Sequence, residues 1–186
     1  DVYLSIKRLF VMLKIKFSLV CLSIFLLLGC INNSDTSISS KAGAPLLKGL
    51  GDHSHKISSN VYGVQRYFDQ GLVLAFAFNH AESIRSFKAA QRLDPSCAMC
   101  FWGEALALGP NINVNSDGKV IMAPQNRVAA FKAINTAITL SKSSSPKEQA
   151  YISALATRYD GNTNTDREPL DIAYANAMEA LSQKYP

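Results

Sequence analysis

From Asn60 onward, apolar residues recur every three or four positions, the spacing of one helical face. In "VYGVQRYFDQGLVLAFAF", Tyr67, Gly71, Leu74 and Phe78 share a face and predict a helix. Asn79 stands where it can cap the next helix, with Glu82 three residues on in the capping-box position. That helix, "HAESIRSFKAAQRL", puts Ile84, Phe87, Ala90 and Leu93 on one side and stops at Asp94-Pro95, because proline cannot continue it. "CAMCFWGEALALG" predicts a third, with Phe101 or Trp102 as its large packing residue and Ala105 as its small one. "PQNRVAAFKAINTAITL" predicts a fourth, with Ala130, Ala133 and Ala137 facing inward. A last pair, Pro146 to Tyr159 and Glu168 to Tyr185, is split by the polar loop "DGNTNTD". No stretch shows strand alternation, so the fold class is all-α.

The beginning of the chain has a different pattern. From Met12, "MLKIKFSLVCLSIFLLLGC" reads as a secretory signal, with Lys14 and Lys16 before an apolar stretch, Phe17 to Leu28. That stretch is shorter than the roughly 20 residues a spanning helix needs. Residues 1–11 then read as sequence upstream of the true start. Leu27-Leu28-Gly29-Cys30 resembles the lipobox of bacterial lipoproteins, which implies cleavage before Cys30 and a lipid on its sulfur. Ile31 rather than Asp follows the cysteine and points to the outer membrane. Residues 12–29 are thus the signal, and residues 30–48, Ser-rich and broken by Gly43 and Pro45, are a flexible tether.

Spacing then organises residues 49–186. Counting back from Pro95, the positions of Ala90, Phe87, Ser83, Leu74, Gly71 and Tyr67 resemble those of a tetratricopeptide (TPR) repeat. "QRYFDQGL", "FNHAESIRSFKAA", "LDPSCAMCFWGEALALGPNIN", "YISALATRY" and "LDIAYANAMEAL" follow in an order similar to that of exported bacterial TPR proteins. The resemblance implies a right-handed α-solenoid of about three TPR-like hairpins, used for protein–protein interaction. It implies no known reaction. The long connection "GPNINVNSDGKVIMA" departs from a regular repeat, and the chain is expected to be the N-terminal part of a longer protein.

Charge narrows the partners. The formal charge is +5, but Lys7, Arg8, Lys14 and Lys16 against Asp1 carry net +3 of it before residue 30. The remainder is close to neutral, which argues against nucleic-acid binding.

Four residues carry candidate chemistry. With Cys21 in the signal and Cys30 lipidated, Cys97 and Cys100 remain in a compartment that permits a disulfide. Phe101 follows the pair where c-type haem attachment needs His. With His53 and His55 the cysteines make a chemically sound zinc set, although more than forty residues separate the two pairs. Cys97 at a helix start also suits a reactive thiolate. Structural, metal-binding and redox readings stay open. Asn111, Asn113, Asn115 and Asp117 lack the acidic positions and closing Glu of a calcium loop. His80, beside the Asn79 cap, reads as structural.

No nucleophile elbow, phosphate loop or paired catalytic carboxylates are present, and no enzymatic activity is expected. The expectation is a lipid-anchored scaffold in the cell envelope that takes a periplasmic protein or peptide, with Asp69, Gln70, Val73 and Glu104 on its groove. No cofactor is expected under that reading. The alternative is a metal-binding or thiol-redox accessory protein.

Overall fold

The computed structural model describes residues 33–110 and 122–186. Cys30, the signal segment and Asn111, Asn113, Asn115 and Asp117 lie outside the described residues. The chain divides into two compact units, Asp1–Ser40 and Lys41–Pro186. Helix α1 (Asn33–Ala42) runs across that boundary.

The tether expected over residues 30–48 is therefore not uniform. Asp35 lies in the first turn of α1 and Lys41 in the last, each matching the helix dipole. Gly43 follows at φ 65°, the left-handed conformation in which helices commonly stop. The glycine that reads as a linker residue in the sequence thus terminates a helix. Ala42 and Ala44 are buried, so the chain after it is docked rather than free.

The larger unit holds α2 (Val64–Phe76), α3 (His80–Leu93), α4 (Ala98–Leu108), α5 (Pro124–Leu140), a 3-10 turn (Ser141–Ser143), α6 (Pro146–Ala156) and α7 (Arg167–Lys184). Among the described residues there is no strand. Each helix packs on the next, and α4 also touches both α2 and α6.

The core of the first three helices turns on Phe87. A Cβ at Gly71 would sit 2.9 Å from its ring and one at Gly103 2.2 Å, so the ring lies against the backbones of α2 and α4. Ser83 lies beside it, buried, and its hydroxyl donates to the Gly71 carbonyl at 2.6 Å. Phe68 meets Phe87 edge-on at 5.5 Å between centroids. Two polar ties then join α4 to the last hairpin. Trp102 Nε1 donates to the Tyr151 carbonyl at 3.1 Å, and the Tyr159 hydroxyl to that of Ala105 at 2.7 Å. Burial raises the Tyr159 pKa far above the usual phenol value.

Two details differ from the sequence pattern. Phe78 does not share the inner face of α2. The helix stops at Phe76, and Phe78 turns outward at φ 61° with 57% of its surface exposed. Tyr159 is buried, yet α6 stops three residues earlier, at Ala156.

Candidate functional site

The side chains that face outward from α2 are not idle. Gln65 and Asp69 are four residues apart and so share a face. Across that face lies the non-helical segment from Gly43 to Asn60, here called the strap.

The strap is held largely through its main chain. Near its start, Arg92 Nε donates to the Ala42 carbonyl and the Tyr67 hydroxyl to that of Ala44. Gln70 makes a two-way contact. Its Oε1 accepts from the Leu47 amide at 2.7 Å and its Nε2 donates to the Pro45 carbonyl at 3.1 Å. Farther along, Asp69 Oδ1 accepts from the His55 amide at 3.0 Å, and Oδ2 from the Ser54 hydroxyl at 2.8 Å. Gln65 repeats the two-way pattern, accepting from the Ile57 amide at 3.1 Å and donating to the His55 carbonyl at 2.9 Å.

The strap ends over two buried carboxylates. Glu148 on α6 is 4% exposed and Asp94, at the end of α3, is 8% exposed. Glu148 Oε1 accepts from the Ser58 amide at 2.7 Å, and Oε2 takes the Ser58 hydroxyl. Oε2 also accepts from the amide and hydroxyl of Ser145, at 2.9 and 2.8 Å, closing the capping box of α6. Asp94 Oδ2 accepts from the Ser59 hydroxyl at 2.6 Å. Burial alone would raise both carboxyl pKa values. The hydrogen bonds from Ser58 and Ser145, and from Ser59 and Ser96, outweigh it and leave both below the ordinary carboxylate value.

Between these polar contacts the His55 ring packs on aromatic side chains. It lies 6.2 Å from Phe68, tilted, and 5.7 Å from Tyr151, edge-on. Burial, then the charge of Lys147, lowers its pKa, while Asp69 opposes them. The middle of the strap is looser. It arches over a pocket of about 240 Å³ that His53, Arg66, Asp69, Gln70 and Val73 help to line. A second pocket, of about 90 Å³, lies under the far end beside Asp94, Cys97 and Glu148.

Three of the four residues expected on the groove, Asp69, Gln70 and Val73, do come together, but the strap already engages the first two. Glu104 is elsewhere. Its carboxylate takes Gln91 Nε2 at 2.7 Å and Lys88 Nζ at 3.3 Å, both from α3. Cys97 and Cys100 form a disulfide, and Cys97 caps α4 through its sulfur, which accepts from the Cys100 amide at 3.2 Å. Neither sulfur is a thiolate in this state. Among the described residues no group of three or more His, Cys, Asp and Glu is placed to hold a metal, so His53, His55, Cys97 and Cys100 do not assemble into one. His80 lies 6.2 Å from the Phe78 ring, and neither of its ring nitrogens has a hydrogen-bond partner.

Sequence reasoning missed Gln65, Tyr67, Arg92, Asp94 and Glu148 as strap contacts. The serine–proline start of α6 with Glu148 at its third position was a readable capping box. Its second role, holding a strap ninety residues away, has no local signal. Comparison with protein-family models, curated proteins and solved structures finds no match to this chain.

Proposed function

We propose that this chain is a scaffold of stacked TPR-type hairpins, anchored in the cell envelope through lipid on Cys30, whose α2–α6 face binds an extended polypeptide. It has no catalytic step of its own. One observation carries the reading. Side chains of α2 and α6 engage four amides (Leu47, His55, Ile57, Ser58) and three carbonyls (Ala44, Pro45, His55) of a non-helical segment. A face that grips main chain in this way reads conformation first and sequence second. The contact between α4 and both α2 and α6 supports the stacked-hairpin reading. The apolar run before Leu27-Leu28-Gly29-Cys30 supports export and an outer-membrane anchor.

The test is selection of displayed random dodecapeptides on the intact chain, followed by titration of the winners. Peptides that bind at micromolar Kd and lose that affinity with Asp69→Ala support the reading. No enrichment over a denatured control contradicts it.

A further inference from the structure

We propose that the strap is a displaceable ligand in cis, and that the partner in trans is an extended segment of the same chemistry: a flat ring, an aliphatic residue two positions on, and two consecutive hydroxyls. This rests on the peptide-binding reading and names both the partner class and its regulation.

The strap is built to come off. Its apolar burial is small. From Gly43 to Asn60 only Ala44 and Ile57 are buried, while Leu47 remains 41% exposed. Most of its attachment is hydrogen bonding, worth only about 0.5–1.5 kcal/mol per bond net of water. Gly49 and Gly51 have φ of 80° and 79°, and a Cβ on either would meet nothing within 4 Å. These glycines give the arch its turns while leaving it unpacked. Beneath it lies the pocket of about 240 Å³. The strap therefore stands on two separate feet, Ala44–Leu47 and Ser54–Ser59, with little holding the span between them.

The second foot specifies the partner. The His55 ring fills the space between Phe68 and Tyr151. Ile57 is the one aliphatic residue of that foot in the core, at 5% exposure. Ser58 and Ser59 each bring a hydroxyl to a buried carboxylate. With the strap lifted, Glu148 and Asp94 would lose those donors at the wall of a pocket. Glu148 keeps its Ser145 donors and Asp94 its Ser96 donors, so each site is left with acceptor capacity that hydroxyls from another chain can take up. A segment that restores the ring, the aliphatic side chain and the two hydroxyls, and presents its main chain to Gln65, Asp69 and Glu148, replaces the foot's interactions except the Ser54 hydroxyl on Asp69.

The test uses the intact chain and a fluorescein-labelled peptide of residues 53–60, "HSHKISSN". A tethered ligand competes at an effective concentration near millimolar, so the peptide should bind the native chain weakly and a strap-weakened variant at least about tenfold more tightly. That variant carries His55→Ala, Ser58→Ala and Ser59→Ala, which leaves the receiving face untouched. Circular dichroism checks its helices. Should they be lost, Ser59→Ala alone serves, with a smaller gain of the same sign. Alanine at the same three positions of the peptide should abolish binding. Equal affinity for native and strap-weakened chains overturns the proposal, as does binding to neither. Selected dodecapeptides that bind both chains equally would leave the peptide-binding reading standing and remove only the strap's role. A dimer that forms without peptide would assign the strap to a second copy and overturn the claim that it acts in cis.

Discussion

Glu148→Ala separates a capping role from a strap role. The carboxylate takes four hydrogen bonds, two from Ser145 and two from Ser58. Loss of the cap costs about 1 kcal/mol. One charge-assisted bond is worth about 1.5–3 kcal/mol, but Ser58 is exposed and its donors return to water, so the Ser58 pair together contributes about 1.5 kcal/mol. The total is about 2–3 kcal/mol, which moves a urea midpoint by about 1 M at an ordinary denaturant slope. Trp102, buried and bonded to Tyr151, reports the transition by fluorescence. Ser145→Ala should show the cap portion alone, with strap amides as protected from exchange as before. Ser58→Ala keeps the amide bond and removes the hydroxyl bond, so it should lower protection at His55 and Ile57 and cost about half of the Ser58 share in stability, with the cap intact. If Glu148→Ala lowers stability by less than about 0.5 kcal/mol and leaves strap exchange unchanged, the carboxylate does not hold the strap.

Other outcomes follow from the same geometry. Gly103→Ala drives a Cβ to 2.2 Å from the Phe87 ring. Overpacking of about 1–3 kcal/mol should exceed the roughly 1 kcal/mol gained in helix propensity, so an unchanged or raised denaturation midpoint would refute that packing. Acid should loosen the strap in two stages, read by amide exchange at Ser58. The docked strap depresses the His55 pKa below its ordinary 6.5, against Asp69 and Glu148 and with Lys147 and His53, so its stabilisation is present above that pH and is lost as pH falls. Glu148 and Asp94 are depressed below 4.5 and 3.8, so their contribution persists through the first stage and goes in the second. A single transition, or loosening on raising the pH, would contradict these assignments. Replacing both Cys97 and Cys100 by Ser should cost at most about 2 kcal/mol, since the closed loop is short. Serine at position 97 can still cap α4, so a collapse of helical circular dichroism would show the bridge to be more than local.

The helices were legible because their signals are local. The α3 boundaries follow from Asn79 before it and Asp94-Pro95 after it, and α5 begins at the proline that opens its pattern. Gly71 and Ser83 beside Phe87 were legible too, because close helix approach selects small residues, whereas Gly103 was not, the pattern pointing to Ala105 in α4. The strap was not. Its serines, glycines and histidines have the composition of a linker, and composition is all that one sequence shows of such a segment. What orders it are partners 8 to 90 residues away, such as Gln65 for Ile57, Asp69 for His55 and Glu148 for Ser58. The same limit hid the fate of Asp69 and Gln70. Their outward position on α2 was readable, but not that this chain's own backbone already occupies them.

Amide exchange of the unliganded intact chain at neutral pH decides whether the strap opens on its own, because it needs no variant and no partner. Two tiers of exchange are expected. Amides of Leu47, His55, Ile57 and Ser58, bonded to side chains of a receiving face, should exchange by local opening well before those within α2, α3 and α4. Adding the "HSHKISSN" peptide should then speed the strap amides and leave the helices unchanged. Strap amides that exchange only with the helices, at one global rate and indifferent to peptide, would make the segment a fixed part of the fold and not a displaceable ligand.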